Sequence, residues 1–171
     1  MNEHSRPQAA SEAQASGASV SVGARYFEDY VPGSVHDLGF ADVTEHAIVE
    51  FARRYDPQPF HVDVEAAKRT PFGGLIASGW HTVSLMMRMC VEHYLSQVAS
   101  LGSPGIDELR WLKPVRPGDR LHVRATVVDA KRSRSKPDRG VVTTAFEVRN
   151  QHGEIVMTLR AINLLLSRNA A

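Results

Sequence analysis

One stretch constrains this chain more than any other. Residues 75–91 read LIASGWHTVSLMMRMCV, the longest apolar run in the sequence, interrupted by Ser78, His81, Ser84 and Arg88. Ser78 is placed to N-cap a long helix that the periodicity carries to about Ser100. Val83, Met87, Cys90, Val91 and Tyr94 form one apolar face of that helix, and Leu85, Met86 and Met89 cover much of another. A helix apolar on most sides must be wrapped by other structure. The polar interruptions make it a poor membrane span.

The wrapping has to come from the rest of the chain. After residue 105 the pattern changes to strands, expected at Ile106 to Lys113, Leu121 to Lys131, Val141 to Asn150 and Ile155 to Ser167. Residues 123–128 and 145–149 alternate with period two. Turn residues separate the strands at Pro117-Gly118-Asp119, Pro137 to Gly140 and Gln151-His152-Gly153. Upstream, Arg25 to Tyr30 reads as a short edge strand or entry segment, and Ser34 to Phe40 as a first strand. Asp42 or Thr44 caps a helix over Glu45 to Tyr55, and a short helix follows at Val64 to Arg69. This order predicts an α+β domain, with an antiparallel sheet in hairpin order packed against one long helix.

A length of 171 residues suits one domain with a real core. Residues 1–22 are rich in Ala, Ser, Gln and Gly and are expected to be a disordered tail, leaving 23–171 as the single domain. The formal net charge is +1, so no global field directs the chain to nucleic acid or an anionic membrane. Any anionic ligand has to be met locally. A lone cysteine, Cys90, sits in the apolar run and reads as a buried hydrophobe. Neither a secretory signal nor an Arg-rich transit peptide is evident, and a cytoplasmic, reducing location fits.

The sharpest chemical signal is Tyr55-Asp56-Pro57-Gln58-Pro59-Phe60-His61-Val62-Asp63. Pro57 must end the preceding helix at Asp56, and the two prolines are expected to keep the loop non-helical and stiff. An acid and an imidazole are thereby held rigidly, which proton transfer requires. Asp before Pro is equally a common turn residue. A second signal is Gly73-Gly74-Leu75-Ile76-Ala77-Ser78-Gly79. A glycine opening a long helix exposes backbone N–H groups at the positive end of the dipole and leaves room for a carbonyl. A plain helix cap would look the same.

Together, D-P-Q-P-F-H-V-D and G-G-L-I-A-S-G resemble the hydratase motif of the MaoC-like dehydratases, a family that includes the (R)-specific enoyl-CoA hydratases. Asp56, Pro59, His61, Asp63 and Gly79 fall on that pattern. The similarity continues through Ser103 to Asp107 and through L-K-P-V-R-P-G-D (112–119), covering about residues 25–167. The resemblance implies a hotdog fold, an antiparallel sheet wrapped around a central helix. It implies hydration of a trans-2-enoyl thioester to the (R)-3-hydroxyacyl product, with no cofactor and no metal. It further implies an acyl-CoA substrate and a homodimer or larger homo-oligomer. Carried over, Asp56 and His61 hold a water, His61 takes its proton, and Asp56 helps deliver one to the α-carbon. Gly79 N–H stabilises the enolate oxygen, and Pro59, Asp63, Ser78 and Trp80 are the expected substrate-binding residues.

Three positions depart from the family pattern. Gln58 replaces the usual Asn with a longer amide. Met86 or Met87 stands where some hydratases use a serine, so that role is not carried over. Trp80-His81 replaces aliphatic residues and reshapes the acyl pocket.

His81 reads as a hydrogen-bonded or exposed helix histidine, and His61, Asp63 and His81 do not make a familiar metal set. The basic segment Lys131 to Arg139 is either a solvated hairpin loop or a contact for CoA phosphates. Two other functions stay open. A hotdog thioesterase would place its carboxylate on the central helix, but no Asp or Glu lies between Gly73 and Val91. A non-catalytic acyl-thioester binder would not need the Asp56/His61 pair.

Overall fold

A computed structural model describes residues 21–169. The expected tail falls almost wholly outside the described residues, and its last position, Val22, already opens a 3-10 turn, Val22–Ala24. Phe27–Asp29 is a second such turn and not an edge strand, because the Asp29 carboxylate folds back to accept the Tyr26 N–H at 2.8 Å.

Five antiparallel strands form one sheet in the order β1-β3-β4-β5-β2. They are β1 Val35–Asp42, β2 Gly105–Trp111, β3 Arg120–Arg132, β4 Arg139–Arg149 and β5 Ile155–Leu166. Strands β3, β4 and β5 are successive hairpins, as expected. β2 does not pair with β3. It crosses to the far edge and pairs with β5, while β1 takes the place beside β3. Strand alternation decides which residues face the core: Val142, Thr144, Phe146 and Val148 on β4 are buried and their neighbours are not. A bulge interrupts β2 between Asp107 and Arg110, and inside it Glu108 takes φ 53°, a left-handed conformation unusual for a residue with a Cβ.

Four helices complete the domain. Helix α1, Glu45–Tyr55, is capped by Thr44, whose hydroxyl accepts the Ala47 N–H at 3.1 Å. Helix α2, Pro59–Val62, is a single turn in a segment expected to be non-helical. Pro59 occupies its first position, where the missing N–H costs nothing and the fixed φ favours helix. Helix α3, Val64–Lys68, is capped by Asp63.

Helix α4, Gly79–His93, is the central helix, and it is shorter than its periodicity predicts. Tyr94 ends it. Its ring is fully buried, edge-on to Tyr30 and Phe146, its hydroxyl bonds Thr144 Oγ1 at 2.7 Å, and its carbonyl accepts the Tyr30 hydroxyl at 3.0 Å. The chain beyond then bonds to β5 instead: Leu101 N–H donates to Leu164 O and Ser100 bridges Leu165.

Met86, Met89, Cys90 and Tyr94 of α4 join the sheet residues in one core. The apolar surface is not continuous around the helix, however. Met87 and Val91, assigned to a buried face by pattern, are 46% and 47% exposed. Burial also pushes the Cys90 thiol up to about 12, far from thiolate chemistry at neutral pH. Among the described residues no helix is long and apolar enough to cross a membrane.

Candidate active site

Asp56 is the C-cap of α1. Its N–H closes the last turn on Ala52 O at 2.8 Å, and Pro57 prevents another. The backbone then bends through Gln58 into α2, which carries His61 inward until its residue exposure is 5%. His61 Nδ1 lies 2.8 Å from Ile76 O. A ring nitrogen facing a carbonyl must carry the hydrogen, so the neutral ring keeps its lone pair on Nε2. Nε2 faces Asp56 Oδ2 at 3.3 Å.

Two donors hold the Asp56 carboxylate. Gln58 Nε2 reaches Oδ1 at 2.8 Å, so the longer amide closes the loop on the acid itself. Ser78 Oγ reaches Oδ2 at 2.7 Å, and His61 stands against the same oxygen. Burial pulls the carboxyl upward. The hydrogen bonds from Gln58 and Ser78, joined by His61 when its ring carries a second proton, outweigh it and hold Asp56 below the usual carboxylate value.

The pair opens on a cavity of about 520 Å³. Asp56 and His61 line it with Phe60, Phe72, Ile76, Gly79, Trp80, Trp111 and the segment Leu112 to Val115. Most of this wall is apolar, and Lys113 is the cation on it. Gly79 opens α4 at its edge. Trp80 N–H goes to Ser78 Oγ, and the His81 and Thr82 N–H groups go to Ser78 O, while Gly79 N–H has no partner among the described residues. The free donor thus sits at the positive end of a 15-residue helix.

Gly79 is glycine for a reason the sequence does not reveal. A Cβ here would stand 2.4 Å from Trp111 Cε2, so the indole packed on the Gly79 Cα admits no side chain. Trp111 is the residue that sequence reasoning missed. It lies at the end of β2, far along the chain from Gly79, and only the β2–β5 pairing brings it here. It meets Trp80 edge to face at 5.4 Å, and both rings are about half exposed.

The structure brings Asp56, His61, Gly79 and Trp80 to the cavity and leaves the other expected residues off its wall. Pro59 starts α2, Asp63 accepts the Ala66 N–H at 2.9 Å as a cap, and Ser78 is buried behind Asp56. His81 points away. It is neither exposed nor hydrogen-bonded at Nδ1, and it stacks on Phe51 of α1 at 4.9 Å. Among the described residues no group of three metal-binding side chains gathers. The basic hairpin loop lies at the other end of the sheet, since Arg139 pairs with Leu166 whereas Trp111 pairs with Met157. Three of its charges are already paired: Lys131 with Asp129, Arg132 with Glu28 and Arg139 with Asp138.

An antiparallel sheet packed on a central helix, with an acid–imidazole pair over an apolar cavity, defines a hotdog protein of the hydratase and dehydratase class. Residues 34–150 match the MaoC like domain family, and the chain belongs to that family. It is similar to the MaoC-like dehydratase from Rhodospirillum rubrum, with TM-score 0.79, 42% identity, 84% of this chain and 98% of that one covered. It is also similar to the mesaconyl-CoA hydratase of Haloarcula marismortui, 38% identical over 85% of this chain but only 41% of the relative's length. The (R)-hydratase from Pseudomonas aeruginosa shares the fold at TM-score 0.69 and 23% identity, covering 84% of this chain and 86% of that one.

Proposed function

We propose that this protein hydrates a trans-2-enoyl-CoA-type thioester to the (R)-3-hydroxyacyl thioester, and runs the reverse dehydration. The arrangement of Asp56 and His61 carries this reading. His61 Nε2 presents a lone pair to a carboxylate oxygen 3.3 Å away, and two acceptors facing each other need a hydrogen-bond donor between or beside them. Water can donate one hydrogen to each. His61 then takes one water proton as the oxygen bonds to the β-carbon and the double-bond pair moves toward the thioester oxygen, and that same proton passes from His61 by way of Asp56 to the α-carbon, restoring both groups. Gly79 N–H, unpartnered at the start of α4, is the donor for the enolate oxygen. Such donors typically contribute roughly 3–4 kcal/mol of transition-state stabilisation.

The apolar wall suits the acyl group, and the cation on it, Lys113, is paired with Glu154. The half-exposed apolar residues Ile106, Trp111 and Leu112 along the open β2 edge, with Met87 and Val91 of α4, support assembly into at least a homodimer. No residue of the cavity needs a cofactor for this chemistry. A cytoplasmic setting completes the proposal.

The test follows loss of the conjugated enoyl-thioester absorbance with crotonyl-CoA and a longer trans-2-enoyl-CoA. Wild type turns over, and His61→Ala and Asp56→Ala each lose orders of magnitude in kcat. A folded wild type that releases free thiol without forming a 3-hydroxyacyl thioester is a thioesterase, and the hydratase reading fails.

A further inference from the structure

Ser78 is 0% exposed, lies off the cavity wall, and its hydroxyl is used twice. It accepts the Trp80 N–H at 3.2 Å, closing the N-terminus of α4. It donates its hydrogen to Asp56 Oδ2 at 2.7 Å. Capping explains only the first bond. A hydroxyl hydrogen in the dry interior needs an acceptor, and the one it finds is the carboxylate of the acid–imidazole pair.

We infer that Ser78 is a positioning residue that clamps Asp56 to the first turn of α4, so that the carboxylate, His61 and the Gly79 N–H form one rigid frame. The inference rests on the hydratase reading for its kinetic consequence but not for the clamp itself. The geometry shows why a clamp is needed. Asp56 belongs to α1, His61 to α2 and Gly79 to α4, three elements with separate backbones. Ile76 O fixes His61, and Gln58 fixes Asp56 only to its own loop. The Ser78 bond is the link from the carboxylate to the helix end that meets the thioester. It also spends lone pairs. A carboxylate offers about four acceptor positions. Gln58 and Ser78 take one each, which favours the ionised form, and His61 facing Oδ2 leaves a restricted direction for a water. His61 is the titratable neighbour acting on Asp56.

Ser78→Gly separates the two bonds. Glycine caps a helix nearly as well as serine, within a few tenths of a kcal/mol, but has no hydroxyl for Asp56. Ser78→Thr keeps the hydroxyl and serves as rescue. In the full-length protein with crotonyl-CoA, Ser78→Gly is expected to lower kcat by about 10- to 100-fold with KM within about twofold, since an interaction serving the transition state is lost. The acid limb of the pH–rate profile moves to higher pH. Ser78→Thr restores both, and Tm stays near wild type in each.

Unchanged kcat and acid limb in Ser78→Gly overturn the inference. So does a raised KM at constant kcat, which would make Ser78 a substrate contact. Carbon-13 NMR titration of the Asp56 carboxyl reads the clamp without turnover: an upward displacement in Ser78→Gly upholds it and an unmoved titration overturns it. A wild type that never hydrates an enoyl thioester sinks the hydratase reading alone.

Discussion

The two ends of α4 are built on opposite principles. At the C-terminal end the inward face is closed: Cys90 and Tyr94 are buried, the Tyr94 hydroxyl is bonded to Thr144, and its carbonyl is capped by Tyr30. At the N-terminal end the chain is left partly open. Gly79 N–H has no partner among the described residues, two indole rings stand half exposed, and the nearest carboxylate is held charged. One end of the helix anchors the fold, and the other is the end to which the proposed chemistry is assigned. The lesson is that unsatisfied groups cluster where a ligand is expected, and satisfied ones where the fold is anchored.

The comparison breaks most visibly at its closed end. Tyr94→Ala removes a fully buried ring and should cost roughly 3–5 kcal/mol of unfolding free energy, measured by urea denaturation. A loss under about 1 kcal/mol would mean the anchor lies elsewhere.

At the open end, Gly79→Ala drives a Cβ into Trp111. It should lower kcat/KM by about 100-fold while leaving stability within about 1 kcal/mol. Trp111→Ala in the Gly79→Ala background should return part of the activity by freeing that space. Additive losses in the double variant would refute the pairing.

Smaller effects come from the middle. Burial holds the His81 and His36 imidazoles below the ordinary histidine value, with Arg25 also acting on His36. Both stay neutral in the fold while the unfolded chain takes up protons. Below about pH 6.5 the unfolded state therefore binds more protons, and stability falls with pH until the folded value is passed. His81→Phe keeps the stack on Phe51 and should remove part of that fall, visible as a few degrees of Tm at pH 5.5 but not at pH 7.5. The smallest effect belongs to the basic loop. Charge reversal of Arg134 and Lys136 together should leave KM for a CoA thioester within about twofold, because β5 separates that loop from the cavity by roughly 30 Å of strand.

Much of this was legible in one dimension. The bounds of α1, the Ser78 cap, the two hairpins joining β3, β4 and β5, and the Asp56/His61 motif all depend on neighbours within a few residues. Local backbone rules suffice there: proline stops a helix, a hydroxyl caps one, and period-two alternation makes a strand. Where the same rules were applied without their context they failed. Two prolines do not bar a single helical turn when one of them takes its first position, and apolar periodicity does not say where a helix must stop.

Sequence by itself thus determined most of the strands and helices and singled out Asp56 and His61. Tertiary structure alone decided that β2 crosses to the far edge, that Tyr94 ends α4, that Trp111 sits on Gly79, and that the Ser78 hydroxyl bonds Asp56. Each of these depends on groups from distant parts of the chain. Such contacts are selected by how the core packs and where buried hydrogens find acceptors, and neither quantity is written in local spacing.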